Sequence, residues 1–260
     1  MSVLFDLWTS SAANFARLPL FPVFQAIHYI ATLAATRESR GAVEFATSHP
    51  LASFVSTAIA CSGGTLALNI LLGLPLAAPF AEPAPIVLMA ILWWLIFHCP
   101  GDYFYKFIAS LPVQIFLIIG KEFRRARMIA IGMAAAKVLY PNQWIILVIG
   151  GTLKSTGSKW AKTVERLIRN APDSSEHELL GLSFVSKASF ACSVLYVLNE
   201  LKIGLLPLDQ LMLACGFVLS TVRLSTLLLE TGDPFVYVEK VLARLLLRQK
   251  SVAVKKSKSE

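Results

Sequence analysis

Charge is scarce in this 260-residue chain: Asp, Glu, Lys and Arg make up 15% of it, where ordinary soluble domains use roughly 25%. Apolar residues account for 56%, more than one or two soluble cores would hide, so the chain reads as a membrane protein. Acidic charge is scarcer than basic, 16 carboxylates against 24 Lys and Arg, which leaves a net charge of +8. Cysteine is rare as well. Cys61, Cys99, Cys192 and Cys215 all lie in apolar stretches, which argues against a disulfide-stapled secreted framework and for small buried thiols. The marks of a soluble enzyme are missing: there is no Gly-rich phosphate loop, no metal-ligand spacing among His28, His49, His98 and His177, and no nucleophile in a local motif. The expectation is a protein that is not an enzyme, has no metal or other cofactor, and binds no nucleic acid.

What is present is a series of apolar segments near 17–36, 50–72, 84–105, 108–138, 142–160, 181–201 and 204–229, each of about the length that crosses a bilayer. The expected fold class is therefore an all-α integral membrane protein with seven transmembrane helices. Residues 1–16 carry no basic n-region and no small-residue cleavage site follows the first segment, so that segment reads as a retained anchor. Loop charge then orients the chain. One side collects Arg37, Arg40, Lys106, the run Lys154, Lys159, Lys162, Arg166 and Arg169, and the tail Lys240, Arg244, Arg248, Lys250, Lys255, Lys256 and Lys258; the other holds Arg17, Lys137 and Lys202. The positive-inside rule places the first side in the cytosol. The chain divides into a short lumenal segment 1–16, a membrane domain 17–229 and a basic cytosolic tail 230–260. In the tail, Val241, Leu242, Leu245 and Leu246 fall on one helical face, suited either to the membrane surface or to a neighbouring helix. The terminal Lys256-Ser257-Lys258 pattern looks like a dilysine retrieval signal.

Gly63-Gly64-Thr65-Leu66 recurs as Gly150-Gly151-Thr152-Leu153, an offset of 87, and Pro22-Val23 recurs as Pro112-Val113, an offset of 90. Two matches at nearly one offset, in corresponding segments, point to a three-helix unit occurring twice. Three is odd, so the second copy runs upside down relative to the first, the inverted-repeat plan of many transport proteins, and the seventh helix is an addition. Adjacent glycines permit a kink that opens backbone carbonyls onto a cavity; they equally permit close helix packing.

The fourth segment interrupts its apolar run with Lys121-Glu122-Phe123-Arg124-Arg125-Ala126-Arg127. At about 100° per residue, Lys121, Arg124 and Arg125 are expected to project from one face, with Arg127 beside it. A central Arg or Lys costs roughly 2.5–3.5 kcal/mol to insert, so all four must meet water, carboxylates or anions. Three readings stand: an interfacial cluster with a break at Gly120, a voltage-sensing helix, or a pocket for a phosphorylated lipid head group in which Lys121 and Arg125 sit one turn apart. Lys187 and Arg223 are further intramembrane charges, with Glu122 and Asp102 as candidate counter-charges and Glu200 and Glu230 near segment ends. His98 beside Cys99 reads as a packed or pore-facing histidine and not as a metal pair.

Several stretches together resemble the trimeric intracellular cation channel (TRIC) family of animals: Arg37-Glu38-Ser39-Arg40-Gly41-Ala42-Val43-Glu44 with His49-Pro50, Trp94 through His98-Cys99-Pro100-Gly101-Asp102 to Lys106, Leu111-Pro112-Val113, Lys121 to Arg127, and Ser186-Lys187-Ala188-Ser189. The resemblance runs from about residue 25 to 229. It implies a homotrimer with a pore in each subunit, in an endoplasmic or sarcoplasmic reticulum or nuclear membrane, passing K⁺ as counter-current when Ca²⁺ is released. It further implies glycine kinks at Gly63-Gly64 and Gly150-Gly151 near the pore, and phosphatidylinositol 4,5-bisphosphate held by Lys121 and Arg125, with Arg124 adjacent. A rival reading is a seven-span carrier of the sugar-transporter kind. That class joins parallel three-helix units through a linker helix, so equivalent spans lie four apart, whereas here they lie three apart. A third is a lipid-organising membrane protein without transport.

Overall fold

The computed structural model describes residues 2–168, 183–204, 206–229 and 235. Ten α-helices occur among them: α1 (Ser2–Arg17), α2 (Val23–Arg37), α3 (Ala42–Ser48), α4 (Pro50–Leu72), α5 (Pro83–Phe97), α6 (Tyr103–Ile108), α7 (Leu111–Leu139), α8 (Trp144–Ile168), α9 (Phe184–Glu200) and α10 (Leu208–Leu228). Prolines open three of the long ones, Pro50 in α4, Pro83 in α5 and Pro112 in α7. There the missing N–H costs nothing, because the first turn has no partner for it, and the fixed φ already suits a helix. At the far end of α4, Gly73 adopts φ 67° and lets the Leu74 N–H return to the Asn69 carbonyl at 2.9 Å, closing carbonyls that the helix end leaves open.

Each of the seven apolar segments holds a helix, with three differences from expectation. The first begins late, α2 starting at Val23, and is preceded by a separate helix, α1, that ends at Arg17 and buries Ala12 and Phe15 completely or nearly so. The third is not straight. Gly101 (φ 65°) and Asp102 (φ 57°) interrupt it, and α6 turns by 88° from α5. Glycine reaches this left-handed region without strain and Asp is among the residues that tolerate it. The fifth continues well past residue 160, to Ile168. Among the described residues, α4 and α10 are each long and apolar enough to cross a membrane alone, and the bent α5–α6 pair makes a third if it counts as one span. The segment 169–182 and, Phe235 apart, the tail 230–260 lie outside the described residues, and with them Arg169, the amphipathic tail face and the dilysine pattern.

The helices pack into two apolar clusters. One gathers Phe15, Leu68, Ile129, Met133, Leu147, Tyr196 and Leu219 from α1, α4, α7, α8, α9 and α10; the other gathers Leu33, Ala46, Met89, Ile96 and Ile108 around α2 to α6. α4 against α8 is the most extensive helix contact. Gly63 faces Gly157 and Ala161, Gly64 faces Lys154, and Leu68 faces Gly150. Numbers therefore fall along α8 as they rise along α4, and the two helices cross antiparallel. A Cβ at Gly64 would stand 2.2 Å from the Lys154 carbonyl oxygen, and one at Gly157 would stand 2.5 Å from the Gly63 carbonyl. Backbone thus lies directly on backbone, the approach that small residues exist to allow.

Candidate functional site

The basic run of α7 lies mid-helix, since α7 continues without interruption from Leu111 to Leu139. Gly120 marks no break; it is where the Ile27 side chain of α2 packs, 2.6 Å from an imagined Cβ. Lys121, Arg124 and Arg125 lie within about 100° of one another around α7 and all three act on His28 of α2, but the cations take different hydrogen-bond partners. Arg124 turns to α2 and donates from Nη2 to Gln25 Oε1 at 3.1 Å. Arg125 donates from Nη1 to Glu122 Oε2 at 2.5 Å, with both side chains almost wholly buried, 5% and 2% exposed. Arg127 turns to the end of α1, where Nη1 donates to the Leu18 carbonyl at 2.5 Å and Nη2 to the Ala16 carbonyl at 3.1 Å. Its guanidinium also faces the Phe15 ring at 5.7 Å. Arg127 therefore finds its partners in main-chain carbonyls: a cation at a helix C-terminus satisfies its open carbonyls and complements its dipole.

Lys121 is half-buried and shares its surroundings with Lys159 and Lys162 of α8, with Arg125 and, as the one acid among the described residues acting on it, with Glu122. That acid is already committed to Arg125. The Nε of Arg124 is out of solvent and has no hydrogen-bond partner among the described residues. His28, buried on α2, donates from Nε2 to the Cys61 carbonyl at 2.9 Å, the role a carbonyl partner leaves to it, and lies in the field of Arg124, Lys121 and Arg125.

Lys154 is the cation that sequence reasoning misplaced. It was expected in a cytosolic loop, yet it lies half-buried within α8 and donates from Nζ to Thr65 Oγ1 of α4 at 2.7 Å. Arg124 is near enough to act on it electrostatically. Its position follows from the glycines: Gly64 and Gly132 clear the space around the Lys154 backbone and Cβ. Gly132 and Gly157 were also missed. The signal was present in the seven-residue spacing of Gly150 and Gly157, which puts both on one face of α8. Thr152, at the repeat position equivalent to Thr65, also bonds across helices, donating to Ser193 Oγ of α9 at 3.2 Å.

The remaining predicted residues divide. Gly150 and Gly151 stand against α7, with imagined Cβ atoms 3.0 Å from Ala136 Cβ and from the Ile129 carbonyl oxygen respectively. Arg223 faces the Phe184 ring at 5.9 Å and acts electrostatically on Arg125; Lys187 is half-buried on α9. Of the candidate counter-charges for Lys187 and Arg223, Glu122 pairs with Arg125 and Asp102 lies outside the cluster. Asp102 accepts from Arg37 Nη2 at 2.7 Å. Arg37 also donates to the Ile96 carbonyl and lies 4.2 Å from the Tyr105 ring, so this pair ties α2 to the bend between α5 and α6. Lys137 pairs with Glu200.

Set beside known proteins, residues 39–230 match the TRIC channel family. The rabbit (Oryctolagus cuniculus) trimeric intracellular cation channel type A is 34% identical over 227 residues, which cover 86% of this chain and 76% of the rabbit protein. A solved structure of a trimeric intracellular cation channel from C. elegans in the absence of Ca²⁺ superimposes with a TM-score of 0.81 at 29% identity, over 88% of this chain and 99% of that one. Another, described as the structural basis for activity of TRIC counter-ion channels in calcium release, also gives 0.81, at 26% identity, over 86% of this chain and all of that one.

Proposed function

Because the chain belongs to the TRIC channel family, a family of ion channels and not of enzymes, we propose that it forms a monovalent cation channel of the endoplasmic or sarcoplasmic reticulum or nuclear membrane. It passes K⁺ as counter-current during Ca²⁺ release, as a homotrimer with a path in each subunit. Seven passes form two inverted three-helix units plus α10, the N-terminus is lumenal and the basic tail cytosolic. The antiparallel crossing of α4 and α8 at the repeated glycines supports this plan, because inversion reverses equivalent helices and a parallel duplication does not. Loop charge supports the orientation, and the trimeric naming of the relatives supports the assembly.

The observation that carries the reading is the unbalanced charge between α2, α4, α7 and α8. Lys121 lies in the field of Lys159, Lys162 and Arg125, and Lys154 in that of Arg124; among the described residues the acid acting on Lys121, Glu122, is already paired with Arg125, and the buried Arg124 Nε has no hydrogen-bond partner. A bilayer rejects such a group unless water or an anion receives it. An anionic head group, phosphatidylinositol 4,5-bisphosphate, fits: Lys121 offers a point charge, Arg124 a planar fork, and Arg125 joins them as Glu122 releases it. Bound phosphates also make the path passable to cations, which a bare basic cluster repels. The test is single-channel recording of the purified protein in planar bilayers. Unitary K⁺ currents are expected; their absence at every voltage and Ca²⁺ concentration overturns the reading.

A further inference from the structure

The α4–α8 crossing contains almost no side chains. Gly63, Gly64 and Gly157 bring the two backbones into contact, and Gly132 brings α7 up to the same point of α8. A polar side-chain bond crosses the junction from the Lys154 ammonium to the Thr65 hydroxyl, at 2.7 Å. A hydroxyl gives an ammonium a hydrogen bond but no counter-charge, and Arg124, the charged neighbour, repels it. Lys154 is thus held by geometry: its Cβ lies against Gly132 and its carbonyl against Gly64, so the ammonium stays on Thr65 while the three backbones remain closed. Separating α4 from α8 must break this bond. Leaving it closed keeps a positive charge beside the packed glycines.

We propose that the Lys154–Thr65 bond is the latch of the cation path, pinning α8 to α4 in the closed arrangement and placing there the charge that bars a permeant cation. The inference rests on the channel reading above and adds to it a gating pair outside the α7 cluster. Two features of gating separate: the hydroxyl sets how firmly the crossing is held, and the ammonium sets how strongly a passing cation is repelled.

The experiment is unitary K⁺ recording from the full chain in planar bilayers of one lipid composition, comparing Thr65→Val, Thr65→Ser and Lys154→Gln with the unaltered protein. Thr65→Val keeps the shape and removes the acceptor; we expect its open-to-closed ratio to rise about tenfold, equivalent to about 1.4 kcal/mol, at unchanged unitary conductance. Thr65→Ser keeps the hydroxyl and the original gating, which a purely packing role for Thr65 would not predict. Lys154→Gln keeps a donor and removes the charge, and its unitary K⁺ conductance rises. Currents from the unaltered protein, with Thr65→Val and Lys154→Gln indistinguishable from it, overturn the latch alone. No current from the unaltered protein overturns the channel reading and the latch with it. Monodisperse elution of each variant establishes that folded protein is being compared.

Discussion

Replacing Glu122 by Gln removes one charge from the most deeply buried ion pair described, while the shape and one acceptor oxygen remain. Arg125 is 5% exposed and Glu122 is 2% exposed, so the guanidinium left behind has no route to solvent. Removing one partner of a buried pair costs about 3–5 kcal/mol, most of it the penalty of an uncompensated charge. Each kcal/mol moves the midpoint of a domain of this size by roughly 2–4 °C, which gives a fall of about 6–20 °C for Glu122→Gln. The chain supplies its own reporter, because Cys61, Cys192 and Cys215 are free and buried: a thiol-reactive dye added during a thermal ramp in detergent signals as they become exposed. A second variant separates electrostatics from packing. Glu122→Met with Arg125→Met removes both charges at similar volume and is expected to restore most of the loss, since well-packed apolar replacements of buried pairs are often neutral or stabilising. A fall below about 2 °C for the single variant, or no recovery in the double one, refutes the account of α7 as a helix balanced by this pair.

Arg127→Ala strips the cap from α1, and loss of charge-assisted bonds worth roughly 1.5–3 kcal/mol should speed amide hydrogen exchange across residues 5–17 while leaving 50–72 unchanged; equal exchange in both would assign Arg127 no capping role. Gly64→Ala puts a methyl group 2.2 Å from the Lys154 carbonyl oxygen, so despite the roughly 1 kcal/mol helix advantage of alanine it should destabilise by about 1–3 kcal/mol, read as a lower yield of monodisperse protein; a more stable variant would mean that α4 and α8 do not meet there. Replacing Lys121 and Arg125 together by Ala should weaken binding of vesicles containing phosphatidylinositol 4,5-bisphosphate far more than replacing Lys250 and Lys255, and adding Arg124→Ala should weaken it further; equal losses from tail and helix would indicate a diffuse surface effect.

Much of this architecture was legible because it follows from local rules. Apolar length places a helix in each segment, and the paired glycines, read either as kinks or as close packing, stand where the backbones of α4 and α8 meet. What escaped depended on relations that one segment does not contain. Helix α1 was hidden because residues 1–16 read as a short segment outside the bundle, whereas the burial of Ala12 and Phe15 against α7 and α10 is a property of the assembled bundle. The bend at Gly101 and Asp102 needs the Arg37 guanidinium, 65 residues away, to hold it.

The partners of the charges were the hardest to read, for a definite physical reason. Composition states how many cations must be compensated in the membrane, but which cation takes which partner depends on helix rotation to within a fraction of a turn. Arg124 and Arg125 are adjacent in sequence, yet one reaches Gln25 of α2 and the other Glu122 of its own helix. Lys154 shows the same sensitivity from the other direction. Counted by the loop it was assigned to, it only orients the protein; seated opposite Thr65 by glycines on both sides, it becomes a charge at the narrowest helix contact. A backbone junction without side chains leaves any single polar group there unopposed, so the glycines that close the bundle also concentrate control of it in the Lys154 ammonium. For the same reason, the two kinds of substitution that part α4 from α8 should both favour an open state, Gly64→Ala by forcing the backbones apart at a cost in folding and Thr65→Val by removing the acceptor that holds the Lys154 ammonium.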